Sequence, residues 1–155
     1  MQLTSEVIEK MRAIGLRLDR TGTFWHEGAA VTHARLRSAL LRWLDVRAED
    51  GRDIIRLDDK RYAYVEVEDA HLRAKSAHWD GDRCLVLWDD DEERELDYAS
   101  LQQAADHAFY ARVGKLRGRI AGPAYHAVAE RVVETDGGGF ELAAAGARWP
   151  IAGAA

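Results

Sequence analysis

The stretch Phe24-Trp25-His26-Glu27 decides the fold, because the chain repeats the pattern that follows it. After it come Thr32-His33-Ala34-Arg35-Leu36, the pair Asp50-Gly51 and the run Arg61-Tyr62-Ala63-Tyr64-Val65. A second version begins at Phe109-Tyr110-Ala111-Arg112 and passes Gly122-Pro123-Ala124-Tyr125. It reaches Asp136-Gly137 and ends in Arg148-Trp149-Pro150-Ile151. The Phe–aromatic pairs stand 85 positions apart (24 and 109) and the Asp-Gly pairs 86 apart (50 and 136). Each copy reads strand, helix, turn, strand. The expected fold is α+β: two lobes built from a repeated strand–helix–strand motif, in mainly antiparallel sheets, with an inter-lobe cleft. The expected boundaries are an N-terminal helix over 1–15, a first lobe over 16–80 and a second over 81–155, in one compact unit. A groove between two such lobes is a natural place for a ligand.

Working outward, Leu3, Val7, Ile8, Met11 and Ile14 share one helical face, with Thr4 or Ser5 to cap the helix and Gly15 to stop it. Leu16 to Asp19 and Thr23 to Glu27 predict a hairpin around Arg20-Thr21-Gly22. Thr32 is the expected cap of the next helix, whose face is Leu36, Leu40, Leu41 and Leu44, with Trp43 at the edge. Asp53–Leu57 with Arg61–Glu68, and His71–Trp79 with Arg83–Trp88, predict further hairpins. The second of these turns at Asp80-Gly81. Ser100-Leu101-Gln102-Gln103 matches a capping box and predicts a short helix to about Ala108. Phe109–Val113 and Lys115–Ile120 predict strands, and Pro123 opens a helix expected to reach about Glu134 and to bury Val128 and Val132.

With 155 residues, 47% of them hydrophobic, the chain can build one domain or two small lobes. A net charge of −5 without a dense basic stripe excludes general nucleic-acid binding, though a few local arginines suffice for a small anion. One cysteine, Cys84, excludes an internal disulfide and a CxxC zinc site, and its apolar neighbours predict a buried strand residue. No apolar run reaches the roughly 20 residues of a membrane span, and Met1–Glu6 lacks the pattern of a signal peptide, so no membrane partner and a cytoplasmic setting are expected.

Few residues offer chemistry. His26-Glu27 begins like a zinc-protease motif, but position 30 is alanine, and no metal is expected there. The run Asp89-Asp90-Asp91-Glu92-Glu93 lacks the spacing of a calcium loop and predicts a solvated turn. Gly137-Gly138-Gly139 is not followed by the residues of a phosphate loop, and none of the serines at 5, 38, 76 and 100 lies in a nucleophile elbow. No cofactor is expected. Two features remain: Arg112, Lys115, Arg117 and Arg119 on neighbouring strand positions, and Trp25, Tyr62, Tyr64 and Tyr110 as aromatic faces on strands. Arginine grips phosphate at two points and aromatic rings stack on bases, so the pair suits a small anionic or nucleotide ligand. The competing reading makes these aromatic residues core and these arginines partners of surface carboxylates.

Several segments resemble a bacterial domain-of-unknown-function family, numbered twelve-eighty-five. Gly22-Thr23-Phe24-Trp25 with Glu27-Gly28 is similar to its D-G-x-W-x-x-x-G opening, and Val31-Thr32-His33 leads into a similar leucine-rich helix. Val65-Glu66-Val67-Glu68-Asp69-Ala70 resembles its I-x-V-E-D-A-P-F segment, the most specific of these matches. Tyr110-Ala111-Arg112-Val113 through Leu116 to Ala124-Tyr125-His126 resembles a further motif. The chain departs from the family at His71, where the family has proline, at Leu57-Asp58-Asp59, where it has threonine-proline, and around Cys84. The resemblance implies an α+β fold of two lobes with repeated motifs and a cleft, and a nucleotide-type ligand with a signalling role.

The leading expectation is a ligand-binding or sensory module for a small anionic ligand in the inter-lobe cleft. Trp25, His26, Tyr64, Arg112 and Arg119 are the expected contacts, since equivalent strands of a repeat face each other across a pseudo-two-fold axis. The alternative is a protein-interaction module whose partner the sequence does not name. An enzyme ranks third, because no nucleophile, base and orienting group assemble into a set.

Overall fold

The computed structural model describes residues 12–154. The N-terminal helix expected over 1–15 therefore lies almost entirely outside the described residues. The rest is α+β, in two compact units, the first ending at His71 and the second beginning at Leu72.

The first unit runs β1 (Leu16–Leu18), β2 (Phe24–His26), β3 (Ala29–Ala30), α1 (Ala34–Trp43), β4 (Leu44–Val46), β5 (Asp53–Arg56) and β6 (Tyr62–Val67). Its strands form one sheet in the order β3-β2-β1-β6-β5-β4. Only β1 and β6 run parallel; the other neighbours are antiparallel. Asp19 shapes the β1–β2 turn. Its Oδ1 accepts from the Thr21 amide at 2.9 Å, the Thr21 hydroxyl at 2.7 Å and the Thr23 amide at 2.9 Å, while Gly22 takes φ +91°. A side chain that satisfies its own turn in this way favours the turn over any extended alternative.

The second unit begins with β7 (Leu72–Asp80), β8 (Arg83–Trp88) and β9 (Glu93–Glu95), then a 3-10 turn over Tyr98–Ser100. It continues through β10 (Gln102–Gln103), β11 (Phe109–Val113), β12 (Leu116–Ile120), α2 (Gly122–Ala129), β13 (Val132–Glu134), β14 (Phe140–Ala144), β15 (Ala147–Pro150) and β16 (Ala152–Gly153). One sheet has the order β16-β10-β11-β12-β7-β8-β9, and β13-β14-β15 form another.

The repeat is visible in the pairing. β1, β2, β3, α1, β4, β5 and β6 correspond in order to β10, β11, β12, α2, β13, β14 and β15–β16. Leu18 opposite Phe24 matches Gln103 opposite Phe109, and Arg17 opposite Trp25 matches Gln102 opposite Tyr110. The parallel closure recurs as well, Leu18 with Val67 and Gln103 with Gly153. Ile54 opposite Tyr64 matches Glu141 opposite Pro150. Among the described residues, β7, β8 and β9 have no counterpart in the first unit.

Leu18, Phe24 and Ile54 are fully buried in the first unit, with Leu40 and Leu41 of the α1 face, while Leu44, expected on that face, is buried as the first residue of β4. In the second, Phe109, Ile120, Val128, Leu142 and the Trp88 side chain are buried. A Cβ on Gly118 would stand 2.3 Å from the Trp88 ring, so β12 carries glycine where the indole lies against its backbone. Cys84 is buried, as its neighbours predict, and burial pushes its thiol up to about 11, with Arg131 opposing and Glu95 adding.

Several local expectations are corrected. His33, not Thr32, caps α1: its Nδ1 accepts from the Leu36 amide at 3.3 Å. Leu36 is exposed rather than core. The capping-box match at Ser100 opens no helix, because the Ser100 hydroxyl already donates to the Asp97 carbonyl and accepts from the Arg112 amide, and Gln102 and Gln103 join a strand. The helix opened at Pro123 stops at Ala129, and Val132 is a half-buried strand residue. The acidic run is not simply solvated, since Asp90 is buried and accepts from both terminal nitrogens of Arg94.

Candidate functional site

Side chains of residues opposed in a ladder project from the same face of a sheet, and successive residues alternate. This rule gives each unit one apolar face and one rich in arginine and aromatic rings, although in the first unit the second face also holds the fully buried Ile54 opposite the buried Tyr64. In the second unit, Gln102, Tyr110, Arg119 and Arg73 stand in register across β10, β11, β12 and β7. Arg112 faces Arg117 two residues further along, on the same face. Phe109, Ala111, Val113, Gly118, Ile120 and Leu72 fall on the other face and are buried.

Tyr110 is the centre of the polar face. Arg119 donates from NH1 to its hydroxyl at 2.8 Å, and the Arg117 guanidinium lies 3.9 Å from its ring centroid. Arg119 also donates from NH2 to Asp106 at 2.7 Å. That hydrogen bond raises the pKa of Arg119, with burial opposing, and holds the Asp106 carboxyl below its usual range. Arg112 is exposed. Arg112 and Arg117 stand opposite each other in the ladder.

The first unit repeats the layout with different neighbours. Trp25, Arg17 and Glu66 stand in register, with Tyr64 and Tyr62 on the same side of β6 and Arg56, Arg52 and Arg47 beside them. The Arg52 guanidinium lies 3.3 Å from the Tyr64 ring centroid and that of Arg12 lies 3.8 Å from Tyr62. Arg47 donates to the Tyr64 hydroxyl at 2.9 Å, and the two tyrosine rings meet edge to face at 6.1 Å. Here carboxylates answer the arginines: Asp45 takes Arg56 at 2.8 Å, Glu49 and Asp50 take Arg47, and Glu68 takes Arg17. Trp25 is half-buried and donates from Nε1 to Asp19 at 2.8 Å. Burial would raise the Asp19 pKa, but the hydrogen bonds from Trp25, Thr21 and Thr23 outweigh it and hold the carboxyl well below the usual carboxylate range.

Of the five expected contacts, Trp25 and Tyr64 thus share the polar face of the first unit, and Arg112 and Arg119 share that of the second. His26 is exposed at the end of β2 on the opposite side from Trp25. Arg12, Arg47, Arg52 and Arg56 were missed, although period-2 alternation in β5 and β6 was a usable signal for Arg56. Among the described residues no helix is long and apolar enough to cross a membrane, and no group of His, Cys, Asp and Glu is arranged to hold a metal ion.

No protein-family model and no curated protein matches the sequence. Solved structures do. A DUF1285 family protein from Silicibacter pomeroyi DSS-3 superposes with a TM-score of 0.73 at 18% identity, over 91% of this chain and 81% of that one. A DUF1285 family protein from Shewanella baltica OS155 gives 0.60 at 15% identity, over 74% of this chain and 90% of the other. The fold is that of DUF1285 family proteins. The segment most like the DUF1285 pattern, Val65 to Ala70, has a clear structural task here. Glu68 pairs with Arg17 and accepts from the Arg20 amide at 3.0 Å, tying the end of β6 to the β1–β2 turn, and Ala70 is fully buried. His71, in place of the DUF1285 proline, is buried with Nε2 2.6 Å from Asp53.

Proposed function

We propose that the chain is a divergent DUF1285 family protein and a ligand-binding or sensory module, whose arginine-rich face on β11 and β12 holds a small anion of nucleotide type. One observation carries the reading: Arg112, Arg117 and Arg119 share a sheet face with Tyr110, in a chain of net charge −5, and Asp106 is the carboxylate that pairs with Arg119. Guanidinium groups grip phosphate oxygens in pairs, and the buried Tyr110 positions two of them, Arg119 through its hydroxyl and Arg117 over its ring. In this reading Arg112 and Arg119 contact the phosphates, Trp25 and Tyr64 belong to the related face of the first unit, and the setting is cytoplasmic, in keeping with a lone buried thiol.

The test is a thermal-shift screen with nucleotides, inorganic phosphates and acyl-thioesters, since a ligand that binds only the folded state raises its stability. The expected result is a rise in Tm with a nucleotide that disappears in the Arg112→Ala, Arg119→Ala double variant. A double variant stabilised as fully as the parent would overturn the assignment.

A further inference from the structure

A cavity of about 450 Å³ in the second unit is lined by Asp82, Arg131, Arg148, Ala143, Ala144, Gly146 and Ala147, away from the β11–β12 face. Its size falls within the range of small-molecule sites, roughly 300–1,000 Å³. Two turns form its rim, and the Ala145 amide fastens them by donating to the Asp82 carbonyl at 2.7 Å. Arg131 is held in place beforehand: NH1 donates to the Gly81 carbonyl at 2.6 Å, and the guanidinium stacks 4.1 Å from the Trp79 ring centroid. Trp79 in turn donates to the Ala127 carbonyl at 2.7 Å. A cation anchored on one edge keeps its remaining donors aimed without further loss of side-chain freedom.

The charges around this cavity are not matched to one another. Elsewhere in the unit opposite charges close into pairs, Arg94 with Asp90 and Arg119 with Asp106, each at 2.7 Å. Asp82, Arg131 and Arg148 line a single cavity, yet among the described residues none of them forms an ion pair, with each other or with any other side chain. A carboxylate and guanidinium groups held apart around one space present complementary charges to a molecule that carries both signs. The small side chains of Ala143, Ala144 and Ala147 leave the floor open for its uncharged part.

We propose that this cavity is a binding site for a small zwitterion bearing a carboxylate and an ammonium group, of the amino-acid or short-peptide class. The ligand carboxylate lies on Arg131 and Arg148, and its ammonium lies on Asp82.

Calorimetric titration of the full chain with glycylglycine, and separately with acetate as a carboxylate alone, tests this. The dipeptide is expected to bind saturably and more tightly than acetate. Arg148→Ala and Asp82→Asn are each expected to weaken it by about tenfold or more, the loss of one charged hydrogen-bonding partner. Both positions are exposed, so the Tm of either variant without ligand should match the parent, which separates loss of the site from loss of the fold. The Arg112→Ala, Arg119→Ala double variant is expected to bind the dipeptide as the parent does, so this site and the β11–β12 face fail or survive independently. Absence of saturable dipeptide binding, or dipeptide binding indifferent to Asp82→Asn, or acetate binding as tight as the dipeptide, overturns the proposal.

Discussion

The β2 strand of the first unit and the β11 strand of the second hold corresponding places in their own sheets, yet their outward residues have different neighbours. Phe24 and Phe109 both point into the core and are fully or almost fully buried. The next residues, Trp25 and Tyr110, both point to the arginine-bearing face. Trp25 spends its one donor on Asp19, the Arg17 beside it pairs with Glu68, and across the sheet Arg56 and Arg47 pair with Asp45, Glu49 and Asp50. Tyr110 sits among Arg112, Arg117 and Arg119, the last of which pairs with Asp106. A repeat preserves what the fold needs, the alternation and the pairing, and leaves the outward residues free to specialise. In the proposed reading the face of the first unit is structural and that of the second holds the ligand.

The largest way to disturb the comparison is through the apolar side of the first unit. Leu41 on α1 is only 1% exposed, and Leu41→Ala is expected to cost roughly 2–5 kcal/mol in denaturant unfolding. Leu36→Ala, on the same helix but exposed, is expected to stay within about 0.5 kcal/mol of the parent. Equal effects of the two would misplace the helix face. In the second unit the fault is crowding rather than a void. Gly118→Ala puts a methyl group into the Trp88 ring and is expected to cost about 1–3 kcal/mol. Urea midpoints for Gly118→Ala in the parent and in a Trp88→Leu background check the cause, since within the second background the added methyl group is expected to cost much less.

A subtler probe concerns the turn that holds Trp25. The folded-state pKa of Asp19 is depressed, so its contribution is fully present above the unfolded value, about 3.9, and is lost as pH falls below it. Asp19→Asn is expected to lower stability at neutral pH and to flatten the loss between pH 5 and pH 3. Denaturant midpoints at the two pH values give the answer, and an unchanged acid slope would sever Asp19 from the hydrogen bonds assigned to it.

Much of this fold was legible in the chain. The alternation in Tyr62–Val67 and the Asp-Gly and Arg-Thr-Gly turns marked strands and hairpins, because side-chain period and turn chemistry are local. The repeat was legible because Phe–aromatic and Asp-Gly markers kept their spacing. The parallel closures of β1 on β6 and β10 on β16 were not, since they join segments far apart in sequence whose local pattern does not encode a partner. Ser100 shows how a local signal can mislead: its hydroxyl bonds the Arg112 amide, a contact made by the fold, and no helix follows. The arginines of the β11–β12 face were legible as neighbours on strands. The cavity of Asp82, Arg131 and Arg148 was not, because its walls come from three separate segments, around 82, 131 and 143–148, joined by no periodic pattern.

The most direct test of the division of labour is an amide NMR titration of the full chain with ADP. The account predicts that the largest shifts fall on residues 109–120 and that those on 24–30 stay small. Shifts of equal size on both strand pairs, or shifts confined to the first unit, would contradict it.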